Sequence, residues 1–170
     1  MNGFYGECLR LEIFGQSHAE SVGMTLEGVP AGARVDFDAL LHFMQRRAPG
    51  RSEYATARRE ADVPEFTSGL RDGVTDGMPI TAVIRNTDVR PRDYDALRTV
   101  PRPGHADYSA WLRYGSIPTG GGEFSGRMTA PLCIAGGICL QLLENEGVSI
   151  RARVNEIGGA HDEKAMHDKI

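Results

Sequence analysis

"MTAPLCIAGGICLQLL", residues 128–143, is the most apolar run in the chain, and its reading decides the fold. A membrane-crossing helix needs roughly 20 apolar residues. This run has 16 and contains the pair Gly136-Gly137. It therefore predicts a helix buried inside a water-soluble protein, with Leu132, Ile134, Ile138 and Leu142 turned inward. Nothing else in the sequence has a membrane signature, and no amino-terminal signal of basic start and long apolar run is present. Length and composition agree: 170 residues, 41% apolar and 25% charged, suit a single domain over residues 1–170.

Outward from that helix, strands and helices do not alternate as parallel βαβ units. "ECLRLEIFG" alternates apolar and charged residues as a half-buried strand does. "SVGMTLEGV" reads as a second strand, "EFTSG" and "MPITAVIRN" as two more, with the turn-rich "LRDGVTDG" between them. From Asp36 the period changes. Phe37, Leu40, Leu41 and Met44 fall on one helical face, with Asp36 as N-cap and an end near Arg47, before Pro49-Gly50. A short helix is expected over His105 to Tyr114, and a strand over "VSIRARVNEIG" with Val148, Ile150, Ala152 and Val154 alternating. "GGAHDEKAMHDKI" begins a polar helix with no terminating Gly or Pro, which reads as a chain cut rather than finished. The order implies an α+β fold: antiparallel sheet with helices packed on one face.

The net charge of −4 provides no global field to recruit nucleic acid. Cys8, Cys133 and Cys139 are odd in number and lack metal-ligand spacing, so no metal is expected and a reduced, cytoplasmic setting is. Locally the chain is basic: Arg46, Arg47, Arg51, Arg58 and Arg59 lie close together. Guanidinium forks grip phosphate and carboxylate bidentately, so this cluster suggests a small anionic ligand rather than a polymer. It also reads as a solvated charge run. "GGGEFSGR", residues 120–127, places three glycines and a serine before a helix, where free amides suit a phosphate. It is neither a Walker A loop nor a dinucleotide fingerprint.

Two histidines complete the set. His18, in "FGQSHAESVG", sits in a turn between strands, where a histidine is ordinarily just solvated. His105, in "TVPRPGHADY", stands between a rigid Pro-Gly turn and a helix start. It is either a cap for that helix or a positioned acid, with Asp107 or Tyr108 available to orient it. The residues alone suggest phosphate chemistry with acid help, or a module that binds a phosphate ligand.

The motifs together resemble the chorismate synthase family. That family has Phe-Gly-Glu-Ser-His-Gly where this chain has "FGQSHA", then a Pro-x-Gly turn ("VPAGARV") and Arg-Arg-x-Pro-Gly ("RRAPG"). "ARREAD", "SGLRDGVTDGMPI", "IRNTDVRPRDY", "RPGHADY" and "GGGEFSGRMTAPLCIAGG" follow in family order, and the match runs from residue 5 to about 158. The resemblance implies antiparallel sheets sandwiching helices, here incomplete, as the amino-terminal half of that fold. It implies elimination of phosphate from 5-enolpyruvylshikimate 3-phosphate to give chorismate, with reduced FMN as cofactor. NADPH enters only in members that reduce their own flavin. It also implies a homotetramer and no nucleic-acid or membrane partner. By carry-over, His105 protonates the leaving phosphate, His18 sits near the flavin, and Arg46 and Arg47 bind anionic substrate or the nicotinamide phosphate. Glu123, Phe124 and Ser125 align with the flavin-contacting segment.

The chain departs from the family pattern at Gln16 (usually Glu), Ala19 (usually Gly), Glu53 (often an anion-binding Arg) and Glu123 (often Arg or His). "GSIPT" before the three glycines is also short and lacks the family's Arg. A truncated, non-catalytic remnant on the same scaffold is the alternative these departures support.

Overall fold

A computed structural model describes residues 3–48, 60–87 and 99–169. Its centre is a five-stranded, fully antiparallel sheet. The strands are β1 (Gly3–Tyr5), β2 (Arg10–Gly15), β3 (Ser21–Glu27), β4 (Glu65–Ser68) and β7 (Ile80–Arg85), in the order β1-β2-β3-β7-β4. The hairpin of β5 (Leu70–Arg71) and β6 (Val74–Thr75) occupies the stretch read as turn-rich. Asp72 and Gly73 both have positive φ there, 51° and 76°, the backbone a tight two-residue hairpin requires.

The sheet's register explains its buried face. Val22, Met24 and Leu26 on β3 lie opposite Ile84, Ala82 and Ile80 on β7, and all six are at most 2% exposed. Against them pack α1 (Phe37–Gln45) and α3 (Thr129–Asn145), through Leu40, Met44, Ile134, Ala135 and Ile138. Asp36 caps α1 as expected, its Oδ1 accepting from Ala39 N at 2.9 Å. Gln141 on α3 then clasps the Asp36 backbone from both sides, at 2.8 and 2.9 Å. The helices cross where Gly137 leaves room: a Cβ there would stand 2.4 Å from Leu40 Cδ1.

The α+β reading and the antiparallel sheet hold. With its flanking residues, the segment 126–145 is long and apolar enough, by length and composition, to cross a membrane. Its inner face is nevertheless covered by β3, β7 and α1. Of the four residues expected inside, Ile134 and Ile138 are buried, Leu142 is half-buried and Leu132 is 40% exposed. Leu132 faces out because the described residues cover α3 from one side only.

A second correction concerns residues 148–154. They form no strand, and Val148, Ile150 and Val154 are 46%, 61% and 63% exposed. Alternation makes a segment fit for a sheet, but a strand also needs a neighbour to take its backbone hydrogen bonds. None of the described strands pairs with it. Conversely, β1 escaped the sequence reading because three residues carry no period. Helix α1 ends at Gln45, two residues before the expected Arg47, and α2 spans Asp107–Tyr114. The final helix, α4, is brief, Glu163–His167.

Candidate active site

The turn after β2 and the glycine loop before α3 are locked together. Gly15 must be glycine: its φ is 92°, and a Cβ would lie 2.4 Å from Ser21 O. The chain then turns through Gln16–Ala19, closed by Ala19 N donating to Gln16 O at 3.1 Å. Ser17, 1% exposed, donates its amide to Gly122 O and its hydroxyl to Gly120 O, each at 3.2 Å.

Both histidines lie on consecutive glycines of that loop. Gly120, Gly121 and Gly122 have φ of 60°, 87° and 52°, which other residues rarely adopt. A Cβ on Gly120 would stand 2.2 Å from His18 Cδ2 and 2.3 Å from its Nε2. A Cβ on Gly121 would stand 2.9 Å from His105 Cε1 and 3.0 Å from its Nε2. The triple glycine thus serves two rings from distant parts of the chain as well as its own backbone.

His105 does not cap α2, whose N-cap is Ala106 without a side-chain hydrogen bond. Its Nδ1 lies 2.7 Å from Asp107 Oδ1. Arg102 grips the same carboxylate three times: backbone N at 3.1 Å and Nε at 2.6 Å to Oδ2, Nη2 at 2.9 Å to Oδ1. Asp107 is fully buried. The Arg102 side-chain hydrogen bonds hold its carboxyl far below the usual carboxylate range; burial opposes them, and His105 adds a smaller pull downward. An ionised carboxylate only accepts, so the proton between the pair sits on His105 Nδ1. The Nε2 edge faces Gly121, with Arg102 Nη2 at 3.4 Å from the same nitrogen and 3.3 Å from Nδ1. Tyr108, the other proposed orienter, is 56% exposed and lies 6.1 Å from the Trp111 ring.

A second ionic cluster lies behind Ser125. Arg127, 4% exposed, pairs with Asp62 and reaches Glu60 Oε2 at 3.0 Å. Arg47 pairs with the other Asp62 oxygen and donates Nε to Thr129 Oγ1 at 3.0 Å. Two guanidinium groups therefore converge on one buried carboxylate.

Comparison with known proteins fits this arrangement. The chorismate synthase family model matches residues 9–170. The chain belongs to the chorismate synthase family. It is 49% identical over 165 residues to a chorismate synthase of Lancefieldella parvula, covering 95% of this chain and 43% of that relative. A Rhodospirillum rubrum chorismate synthase is 44% identical over 168 residues, with 96% and 46% covered. A solved structure described as a chorismate synthase superposes with a TM-score of 0.59 at 26% identity, covering 84% of this chain and 36% of that one. The chain thus spans less than half the length of the chorismate synthases it matches.

Of the residues singled out in the sequence, His18 and His105 come together at the glycine loop. Arg47 belongs to the ionic cluster, and among the described contacts none joins it to His105. Arg46 is exposed, its guanidinium 5.7 Å from the Phe43 ring centre. Arg51, Glu53, Arg58 and Arg59 lie outside the described residues. Ser125 Oγ accepts from Arg127 N at 3.2 Å, starting the short turn that leads into α3. Phe124 stacks on Tyr114 at 6.4 Å and is 40% exposed; Glu123 is half-buried. A cleft of about 670 Å³ opens elsewhere, between Asp36, Asp38, Asp72 and Glu144, and holds none of these residues.

Sequence reading missed Ser17, Asn86, Arg102 and Arg127 as parts of the site. "ARREAD" carried the signal for Glu60 and Asp62, two carboxylates in an otherwise basic loop, but their partners are remote in sequence.

Proposed function

We propose that this chain is the amino-terminal part of a chorismate synthase, catalysing 1,4-elimination of phosphate from 5-enolpyruvylshikimate 3-phosphate. The observation that carries the reading is the meeting of His18 and His105 on Gly120 and Gly121. Two titratable rings on a backbone stripped of side chains form a place where a substrate can approach closely.

His105 is the general acid. Asp107 keeps a proton on Nδ1, so the proton delivered to the departing phosphate is the one on Nε2, at the edge facing the glycine loop. Positioned proton transfer of this kind contributes typically about 10²–10⁴-fold. His18 borders the flavin side of the loop. Arg46 and Arg47 serve the anionic substrate, and Arg47 does so once its pairing with Asp62 is shared or released.

The His18 and His105 rings pack directly on Gly120 and Gly121, and the exposed Phe124 beside them offers an apolar face to a flat ring system. Gly120 to Ser125 would hold reduced FMN, with Phe124 as its apolar contact. Bound there, reduced FMN supplies transient electron density to the elimination without net redox change. Glu123 would set a carboxylate against that anionic cofactor and weaken its binding. NADPH serves only if the protein reduces its own flavin. The remaining expectations are a single domain, a homotetramer and a cytoplasmic location.

A second reading, a phosphate-binding remnant without turnover, draws on the chain's span of less than half its relatives. Phosphate release measured anaerobically with chemically reduced FMN separates the two. We expect negligible release from the 170-residue chain and release once it is joined to a family-like second half. A misplacement of about 1 Å can cost on the order of 10²-fold, so half a scaffold is not enough. No release from the joined protein would overturn the catalytic reading; robust release by the isolated chain would overturn the dependence on a second half.

A further inference from the structure

Asn86, the residue after β7, engages every hydrogen-bonding atom of its side chain, the amide N–H groups on the turn that bears His18 and the oxygen on Arg127. Its Nδ2 donates to Gln16 O at 3.0 Å and to Ala19 O at 2.8 Å, the two carbonyls that flank Ser17-His18. Its Oδ1 accepts from Arg127 Nε at 3.0 Å. Its backbone N donates to Glu20 O at 2.9 Å, extending the β3–β7 ladder. The next amide, Thr87 N, donates to Glu60 Oε1 at 2.8 Å, so the segment is held from the ionic cluster as well.

We infer that Asn86 is a positioning residue that couples the buried Arg47–Asp62–Arg127–Glu60 cluster to His18. Among the described contacts, two anchors hold the turn that bears His18. One is the Ser17 clamp on the glycine loop. The other is Asn86, which reaches onward to the Arg127 guanidinium. A continuous chain of polar contacts then runs from Arg47 through Asp62, Arg127 and Asn86 to the carbonyls beside the ring.

No other side chain satisfies this geometry. Aspartate keeps the acceptor for Arg127 but sets a carboxylate against two carbonyls in place of two donors. Alanine removes all three bonds. Glutamine carries the same groups one methylene further out. The consequence is that an event at Arg47 or Arg127, such as pairing with an anion in place of Asp62, is felt at His18 through one amide.

The inference rests on His18 being a site residue, but its test uses neither flavin nor substrate, so it stands or falls apart from the proposed reaction. The ring signals of His18, His42, His105, His161 and His167 are followed by NMR in the full 170-residue chain. Asn86→Asp and Asn86→Ala are expected to move the His18 ring signals and leave those of His42 and His161 in place. Exchange of the Ala19 amide should quicken about tenfold, the loss expected for one to two net hydrogen bonds. Arg127→Lys, which keeps the charge and loses the fork, should move His18 in the same sense but less far, and adding Asn86→Ala to it should bring the shift to that of Asn86→Ala alone. Ile138→Val, a core change far from the turn, controls for general loosening. His18 signals that stay at their wild-type positions in Asn86→Ala, or that move equally in Ile138→Val, overturn the inference. If the Asn86 variants fail to fold, Arg127→Lys alone decides, by whether His18 moves.

Discussion

Asp107 Oδ1 lies 2.7 Å from His105 Nδ1 while Arg102 holds the same carboxylate through three nitrogens. One buried group thus serves a structural and a chemical purpose. It closes the loop 102–107 onto the start of α2, and it fixes which nitrogen of His105 faces the glycine loop.

Asp107→Asn should therefore cost about 2–3 kcal/mol of stability at neutral pH, the range for charged hydrogen bonds. Asp107 has a folded pKa depressed below the 3.8 of a free side chain, chiefly by its Arg102 hydrogen bonds. Its contribution is then fully present above that value and is lost as pH falls toward the depressed folded value. Urea unfolding should show a gap between wild type and variant that is flat from neutral pH down to about 5 and narrows in strong acid. A gap that widens below pH 4 would contradict the assignment.

Gly120→Ala should disturb the His18 ring directly. It combines a φ of 60° with a Cβ set 2.2 Å from the His18 ring. A loss of about 1–3 kcal/mol is expected, together with displaced His18 ring signals. Gly126→Ala is the control, because its φ is not positive and a Cβ there meets nothing within 4 Å. Thermal melting of both variants, with NMR of the His18 ring, checks the contrast.

Asp62→Ala should be severe, about 3–5 kcal/mol, because it leaves Arg127 buried without a principal partner. Asp62 also sits at a φ of 52°, in the left-handed region. Asp62→Gly therefore loses the same charge with less backbone strain and should be milder than Asp62→Ala. Denaturant unfolding at low and high salt reads both variants. The cost should change little with salt, since buried pairs are poorly screened.

The adjacent glycines of α3 should respond in opposite ways. At Gly136 a Cβ meets nothing within 4 Å, so Gly136→Ala should stabilise by about 0.5–1 kcal/mol through helix propensity alone. At Gly137 a Cβ would press on Leu40 Cδ1 at 2.4 Å and Phe43 Cδ1 at 3.1 Å. Gly137→Ala should thus lose its propensity gain to overpacking and become destabilising by about 1 kcal/mol or more. Comparing the two melting temperatures isolates the packing effect, since both positions lie in the same helix.

The sequence by itself determined the elements whose stabilisation is local or periodic. Asp36 capping α1, the alternation of β2, β3 and β7, the Asp72-Gly73 turn and the apolar run of α3 each carry their own signal within a few residues. It also determined the family, because many short motifs recur in one order, and it marked His18 and His105. Tertiary structure alone decided which residues support them. Asp107, Arg102, Ser17, Asn86 and Arg127 are ordinary polar residues until folding brings remote partners within hydrogen-bonding distance, and the free energy of such pairs depends on burial that no local window contains. The same reason accounts for the failed strand at 148–154. Its alternation is local, but a strand exists only when a second segment takes up its backbone hydrogen bonds, and that is a property of the fold rather than of the segment.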